Sequence, residues 1–261
     1  MDKIIKISMY DNHLEINLNR ERVYNALNRQ AKLELIEAIK NTESNKNIKS
    51  IIITASGKAF CTGQDLSDRA VTSSESEAPN LKKALEEEWN PLIKTIRESS
   101  KLIIGSINGM AVGAGMSVAL SCDYLVCHPE TYFMAGFSKI GLVPDAGLTK
   151  VITSTYGRRK ALEILLLNKT ILMEEALSIG LINEINENHL DAARELSKKV
   201  SSMAPLSIKE TKRNILFSED ADFVSSLNNE TTTQCSLGKS RDYAEGVKAF
   251  FEKRKPQFIG S

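Results

Sequence analysis

The sequence predicts an α/β fold, with a mixed strand and helix core followed by a helical C-terminal module. Three observations predict this class. Short apolar runs alternate with helical patterns up to about residue 155, as in β/α cores. Two of these runs end in small-residue turns that lead directly into helices. Helical spacing dominates the rest, so we divide the chain into a core over 1–200 and a C-terminal helical module over 201–261.

The N-terminal elements follow from alternation and capping. Residues 3–10 and 13–19 alternate apolar and polar side chains around a polar two-residue turn, which predicts a β-hairpin. Asn28 can cap a helix that runs to about residue 41, because apolar residues recur there at helical spacing. The run 49–54 is short and apolar, which favours a strand buried on both faces.

The middle of the chain contains a polar segment between two strands. Residues 67–80 are rich in Ser and Glu and form the best candidate for a mobile loop. Residues 81–98 predict a helix that breaks or bends at Pro91. Three further strands are predicted, at 102–107, 123–128 and 131–135.

Helices dominate the last third of the sequence. One short strand is predicted at 181–185. Helical patterns cover 157–167, 174–179, 189–203, 206–217, 221–236 and 241–253. No internal repeat is visible at the level of sequence, although a stack of βαβ turns can hide one.

The composition favours a soluble cytoplasmic protein. The chain has 261 residues, and its 34 basic and 33 acidic side chains give a formal net charge of +1, so no nucleic-acid-binding surface is indicated. Four cysteines without a CxxC pair and only three histidines argue against a metal site or disulfides. His13 and His189 are predicted at the surface. No apolar run is long enough to span a membrane, and no signal peptide is recognisable.

Two glycine-rich turns are the main candidates for a binding site. The segments KAFCTGQDL (58–66) and INGMAVGAGMSVALSCD (107–123) each follow a predicted strand. Small residues at the start of a helix leave its N–H groups accessible, and two such turns can direct two N–H groups at one oxygen. Taken separately, each turn is explained as well by glycine's freedom to adopt positive φ. The spacing does not fit a dinucleotide-binding fingerprint.

These two segments, together with NRERVYNALN (19–28) and FSKIGLVPDAGLT (137–149), resemble the crotonase (enoyl-CoA hydratase/isomerase) superfamily. The resemblance covers essentially the whole chain. It implies a crotonase-like spiral of ββα turns with a helical C-terminal trimerisation module. It also implies an acyl-CoA thioester as substrate and a homotrimer or dimer of trimers, with no cofactor beyond the coenzyme A of the substrate.

The resemblance assigns roles to residues of the first three motifs. The backbone N–H groups of Thr62 and Ala114 would form the oxyanion hole, and Asp65 would hold its loop. The coenzyme A path and the thioester site would be lined by Arg22, Val23, Ala59, Gly63, Leu66 and Gly113. Lys253 or Lys255 would meet phosphates, although a basic helix end is ordinarily solvated.

The acid and base positions depart from the hydratases of the family. Hydratases carry two glutamates where this chain has Ser117 and Phe137, and water addition needs such a pair. Asp145 stands where hydratases usually have glycine, as in isomerases that work with one carboxylate, among them the 1,2-epoxyphenylacetyl-CoA type. Ser117 would be a substrate contact or a packing residue, and Phe137 an apolar wall. Asp145 is otherwise explained as a turn or cap residue after proline.

Three functions remain open from the sequence. The leading hypothesis is an isomerase of a 3-enoyl-CoA or of the ring epoxide of phenylacetyl-CoA. A CoA thioester hydrolase or decarboxylase on the same scaffold is the second. A non-catalytic acyl-CoA-binding subunit is the third, and it would be indifferent to Asp145→Asn. Metal, nucleic-acid and membrane partners are not expected.

Overall fold

The computed structural model describes residues 3–67 and 80–261. The predicted loop 67–80 lies, apart from its two end residues, outside the described residues. Ten strands are described: β1 Ile5–Met9, β2 His13–Leu18, β3 Ser50–Ala55, β4 Ala59–Cys61, β5 Leu102–Ile107, β6 Met110–Val112, β7 Tyr124–Cys127, β8 Tyr132–Met134, β9 Ile171–Leu172 and β10 Glu184–Ile185.

Ten α-helices accompany the strands in the described ranges, namely α1 Arg29–Lys40, α2 Leu81–Ala84, α3 Asn90–Glu98, α4 Ala114–Leu120, α5 Leu148–Leu165, α6 Met173–Ser178, α7 His189–Ser201, α8 Pro205–Ser218, α9 Phe223–Leu237 and α10 Arg241–Phe251. A π-helical turn, Leu85–Trp89, joins α2 to α3. Two 3₁₀ turns cover Glu21–Val23 and Phe137–Ile140. None of the helices in these ranges is both long and apolar enough to cross a membrane.

Two sheets organise the core, and the chain alternates between them. The six-stranded sheet has the order β1-β2-β3-β5-β7-β10, and the four-stranded sheet the order β4-β6-β8-β9. The pairs β3–β4, β5–β6 and β7–β8 each place their first strand in the larger sheet and their second in the smaller one. Their cross-pairings are parallel, so each turn of chain repeats the previous one. This is the predicted spiral of ββα turns.

Strand β3 shows why the larger sheet is covered on both sides. All six of its residues are buried, because β3 lies between β2 and β5. Ile51 and Ile53 face the main core. Ile52 faces the other way and forms a second cluster with Ile104 of β5 and Ala193 of α7. Alternate side chains of one strand therefore enter two hydrophobic clusters, as expected for a parallel sheet between helices.

The predicted elements are largely confirmed, with local corrections. The hairpin forms as β1 and β2, and Asn28 caps α1 by accepting from the Ala31 N–H at 2.9 Å. The helix predicted from residue 157 begins at Leu148, and Gly157 marks a kink inside it with φ 72° and ψ 168°. The bend near Pro91 is the π turn that precedes it. The strand predicted over 181–185 is reduced to β10.

Two histidines predicted at the surface are buried or half-buried and make polar contacts. His13 is buried, stacks on Tyr10 with ring centroids 4.6 Å apart and contacts Glu15 at 3.3 Å. His189 is half-buried, and its Nδ1 lies 2.7 Å from the Ser106 hydroxyl. The prediction was wrong for His189 because its partner Ser106 is distant along the chain, and for His13 because burial of the strand depends on tertiary packing.

The C-terminal helices contact the core through an ion pair whose lysine is buried. Nζ of Lys212, on α8, lies 2.6 Å from the Asp123 carboxylate and donates to the Lys101 carbonyl at the same distance. Burial raises the pKa of Asp123, although Lys212 opposes this. Helix α9 packs on α8 and has no buried residue in the described chain. The division at residue 200 stays a prediction.

Candidate active site

The two glycine-rich turns lie against each other, and glycine is what lets them do so. A Cβ added at Gly115, in the first turn of α4, would lie 2.1 Å from the Cys61 carbonyl oxygen at the end of β4. A Cβ added at Gly63 would lie 3.0 Å from the Ala114 backbone nitrogen. Gly113, at the N-cap of α4, has φ +58°, a conformation that favours glycine. The end of β4 and the start of α4 therefore share one small region.

The first predicted oxyanion donor is corrected by this geometry. The Thr62 N–H donates to the Tyr24 carbonyl at 3.2 Å, so it is already engaged. A parallel bridge joins Leu27 to Gln64 and uses the Gly63 carbonyl (2.7 Å) and the Asp65 N–H (3.1 Å). The intervening Gln64 N–H points away from that bridge, as alternation along an extended chain requires.

Two backbone N–H groups are therefore available on adjoining turns. Within the described part of the chain, the N–H of Gln64 makes no backbone hydrogen bond, and neither does that of Ala114 in the first turn of α4. The first N–H groups of a helix have no intrahelical acceptor. Ala114 therefore remains a candidate oxyanion donor, as predicted. The Gln64 N–H is the second candidate donor, and the sequence analysis missed it. The bridge between Leu27 and Gln64 is the feature that identifies the Gln64 N–H, and the sequence does not reveal it because it is a tertiary contact.

The segment after β2 folds over the first turn and holds it. Asn25 is buried, and its side-chain amide donates to the carbonyls of Ser56 (2.8 Å) and Ala59 (2.7 Å). Arg20 forms an ion pair of 2.7 Å with Asp65. Burial raises the pKa of the Asp65 carboxyl, but hydrogen bonds from Ser67 and Arg20 outweigh it and lower the pKa overall. The predicted role of Asp65 in holding its loop agrees with these contacts.

The residues predicted along the coenzyme A path divide into two groups. Arg22, Val23 and Leu66 are exposed beside the two turns, and Leu66 is 61 % exposed. The side chain of Ala59 is 1 % exposed, so it cannot line an open path, and this prediction is wrong for the side chain. Lys253 and Lys255 are exposed at and beyond the end of α10.

Asp145 lies in a tight turn at the head of α5. Its carbonyl accepts hydrogen bonds from the Leu148 N–H (3.1 Å) and from the Ser117 hydroxyl (3.2 Å). Ala146 and Gly147 follow with φ of +52° and +81°. A non-glycine residue in the left-handed region stores strain, which is typical of functional turns. One carboxylate oxygen of Asp145 is shielded from solvent.

Ser117 and Phe137 are both buried. The Ser117 hydroxyl is used to hold the main chain of Asp145, so it joins α4 to the turn that carries the carboxylate. This supports the packing alternative for Ser117 over the substrate contact. Phe137 begins the 3₁₀ turn that precedes Pro144 and Asp145 in the chain, and its buried ring is an apolar side chain in that turn.

A large cleft in the described part of the chain lies away from these turns. It has a volume of about 800 Å³ and runs between the ends of α4 and β7, α5 and α8. A smaller cleft of about 250 Å³ adjoins it and reaches Ser117, Ala146 and Leu148. The small cleft thus approaches the Asp145 turn from the side of α3 and α5.

Comparison with known proteins gives a consistent picture over nearly the full length. The sequence profile of the enoyl-CoA hydratase/isomerase family matches residues 9–261. The chain is 33% identical over 249 residues to 1,2-epoxyphenylacetyl-CoA isomerase of Escherichia coli, covering 95% of each chain. It is 36% identical over 250 residues to a probable enoyl-CoA hydratase of Rhodobacter capsulatus, covering 94% of this chain and 93% of that one.

Solved structures agree with the fold. An enoyl-CoA hydratase from Polaromonas sp. JS666 superposes with a TM-score of 0.91 at 28% identity, covering 97% of this chain and 99% of that one. An enoyl-CoA hydratase from Bacillus anthracis gives a TM-score of 0.91 at 27% identity, covering 99% of this chain and 100% of the other.

Proposed function

Because this chain belongs to the enoyl-CoA hydratase/isomerase family, we propose that it is an isomerase that shifts the double bond of an unsaturated acyl-CoA. The thioester oxygen would be held by the N–H groups of Gln64 and Ala114, and Asp145 would move the proton. The observation that carries the proposal is the placement of one carboxylate, that of Asp145, in a turn that the Ser117 hydroxyl fixes. Hydratases of the family would carry a glutamate at the position of Ser117.

The adjoining turns support stabilisation of an enolate. When a proton leaves the carbon next to a thioester, negative charge develops on the carbonyl oxygen. Two N–H groups fixed before the reaction stabilise that charge without reorganising, and loss of one such donor typically costs ~2.7–4 kcal/mol. Gln64 and Ala114 are fixed by the bridge to Leu27 and by the start of α4.

A single carboxylate is sufficient for the proposed reaction. In a 3-enoyl-CoA, Asp145 would take a proton from C2 and form a dienolate. The same carboxylic acid would return a proton to C4, and the double bond would then lie between C2 and C3. Both carbons lie on one face of a short planar segment, so one well-placed oxygen reaches both. General acid and base catalysis of this kind contributes ~10²–10⁴-fold.

The acyl group is proposed to be either a chain or a ring. A 3-enoyl chain follows from the single-carboxylate chemistry. A ring epoxide that becomes an oxepin is suggested by the E. coli relative, 1,2-epoxyphenylacetyl-CoA isomerase, at 33% identity. No cofactor beyond the coenzyme A of the substrate is needed for either reaction.

Hydratase activity is the second candidate, because the relative with 36% identity is named a probable enoyl-CoA hydratase. It requires a group that activates water and another that delivers a proton. Ser117 is buried and bonded to the Asp145 carbonyl, and Phe137 has no ionisable group, so neither side chain supplies such a pair. We therefore favour the isomerase.

We also propose that the chain assembles as a homotrimer or a dimer of trimers. The C-terminal helices present apolar side chains that a monomer would leave in water, among them Phe217, Phe223, Val224, Phe250 and Phe251. Exposed apolar surface of this kind marks interfaces. Light scattering during gel filtration is expected to give the mass of three or six chains, and a monomer would refute this assembly.

The function is tested by incubating the purified protein with a 3-enoyl-CoA and separating the 2-enoyl product by chromatography. We expect the wild type to convert the substrate and Asp145→Asn to do so at least about a hundredfold more slowly. Formation of 3-hydroxyacyl-CoA from a 2-enoyl-CoA supplied in a parallel reaction, with no conversion of the 3-enoyl-CoA, would favour the hydratase. Release of free CoA or carbon dioxide would favour the hydrolase or decarboxylase. Thioester binding without turnover, on the ring epoxide as well, would leave a binding subunit and contradict the proposal.

A further inference from the structure

A buried cation lies directly behind the first proposed oxyanion donor. Lys32, on α1, is 0 % exposed, which is rare for lysine. Its Nζ is bound to the Glu88 carboxylate and lies 4.7 Å from the centroid of the Trp89 ring. It also donates to the side-chain oxygen of Gln64 at 2.9 Å. Partners on two other segments, the first glycine-rich turn and the π-helical turn, therefore surround the buried Lys32 ammonium group.

The side chain of Gln64 is held at both of its polar atoms. Oε1 accepts from Lys32 and from the Trp89 indole N–H, each at 2.9 Å, and Nε2 donates to the Asp65 carbonyl at 3.0 Å. An amide with both ends engaged cannot rotate without breaking hydrogen bonds. Because the side chain and the backbone N–H share one Cα, this anchoring also limits rotation of the N–H.

The charge of the group makes a packing role alone a poor explanation. Burial acts to raise the pKa of Glu88, but the hydrogen bond and charge of Lys32, with Arg29 at 3.2 Å, lower the pKa overall, so the Glu88 carboxyl is ionised at neutral pH. A buried ion pair is often no more stabilising than apolar residues of similar volume. Its placement against the Gln64 side chain therefore points to a requirement for orientation.

We infer that Lys32, Glu88 and Trp89 are positioning residues for the oxyanion hole. They hold the Gln64 side chain so that the Gln64 N–H stays directed at the thioester oxygen. None of the three is placed against the substrate. The inference rests on the proposed function in one respect, since it takes the Gln64 N–H as a donor to an acyl-CoA carbonyl.

The test uses two variants of graded severity. Trp89→Phe keeps an aromatic ring but removes the N–H that donates to Gln64, together with part of the buried ring system. Lys32→Met combined with Glu88→Gln removes the cation without leaving a buried carboxylate unpaired. Lys40→Met is the matched control, because Lys40 is exposed on the same helix.

Carbonyl polarisation is read from the absorbance of bound cinnamoyl-CoA, whose conjugated thioester shifts to longer wavelength when its oxygen accepts strong hydrogen bonds. We expect the shift to fall by at least about half in both variants, with the Kd for coenzyme A unchanged. We expect kcat to fall about 10- to 100-fold and KM to change less than about threefold, because outright loss of one donor costs ~10²–10³-fold. Lys40→Met should match the wild type throughout.

A purely structural role would lower the melting temperature and leave the shift of the folded protein intact. Folded variants with a wild-type shift and kcat therefore overturn the inference. If the double variant does not fold, Trp89→Phe alone decides between these outcomes. A wild-type protein that polarises cinnamoyl-CoA but does not isomerise would overturn the proposed function and leave this inference standing.

Discussion

Gly115→Ala adds a single methyl group at the contact between the end of β4 and the start of α4. The new Cβ would lie 2.1 Å from the Cys61 carbonyl oxygen, whereas tolerated contacts of this kind begin at 3.0 Å. The two nearest atoms belong to the Cys61 main chain and the third is the Cys61 Cβ, which no change of rotamer can move. The two segments must therefore separate by at least about 0.9 Å.

This separation moves Ala114, the residue before Gly115, relative to Gln64 across the turn. A misplacement of about 1 Å can cost ~10²-fold in rate. We therefore expect kcat to fall about a hundredfold, which corresponds to ~2.7 kcal/mol. Overpacking of a core contact should also cost ~1–3 kcal/mol of folding free energy.

The assay compares kcat and KM for the acyl-CoA substrate with thermal unfolding of the same preparation. Gly238→Ala is the control, because a Cβ there would meet its nearest neighbour, the Gln234 carbonyl, at 3.4 Å, an ordinary contact. A Gly115→Ala protein that keeps wild-type stability and a kcat within about threefold of wild type would refute the reasoning.

Three further predictions concern the surroundings of the site. Asn25→Ala removes the side-chain donor to the Ser56 carbonyl and the closer side-chain donor to the Ala59 carbonyl, which then keeps the Asn108 amide at 3.5 Å. The change should cost about 2–5 kcal/mol in urea unfolding, whereas the exposed Asn188→Ala should cost under about 0.5 kcal/mol. Burial raises the pKa of Glu15, but the hydrogen bonds that Glu15 accepts from Arg194 and His13 lower the pKa overall. The stability that the Glu15 carboxylate contributes is therefore present above the ordinary pKa of 4.5 and is lost as the pH falls through the lower pKa of the folded state. Arg194→Met should reduce stability at pH 7 and flatten its fall below pH 4.5, and an unchanged pH profile of unfolding would contradict this. Phe250→Lys with Phe251→Lys should convert the proposed trimer to smaller species in light scattering, and an unchanged mass would place the interface elsewhere.

The parts of the fold that follow from local sequence could be predicted. β3 was visible because consecutive apolar residues are needed where both faces are covered, and α1 because Asn28 supplies its cap. β4, β6 and β9 have three residues or fewer and carry no recognisable alternation. Their existence depends on pairing with strands that are distant along the chain.

The site divides in the same way. The sequence indicated Ala114 and Asp145, since small residues at a helix start and a carboxylate at a turn are local features. It misassigned the first oxyanion donor to Thr62, because the direction of an N–H is set by the bridge between Leu27 and Gln64. The contact of Ser117 with the Asp145 carbonyl, and the burial of Lys32 behind Gln64, are likewise products of tertiary packing.

Transfer of hydrogen by Asp145 is the central claim, and isotopic labelling tests it most directly. The substrate is a 3-enoyl-CoA deuterated at C2, and the early product is analysed by mass spectrometry for deuterium at C4, with Asp145→Asn run in parallel. We predict measurable transfer of deuterium from C2 to C4 in the wild type and a rate at least about a hundredfold lower in the variant. Product formed without transfer, at a rate that Asp145→Asn leaves within about threefold, would contradict the single-carboxylate account.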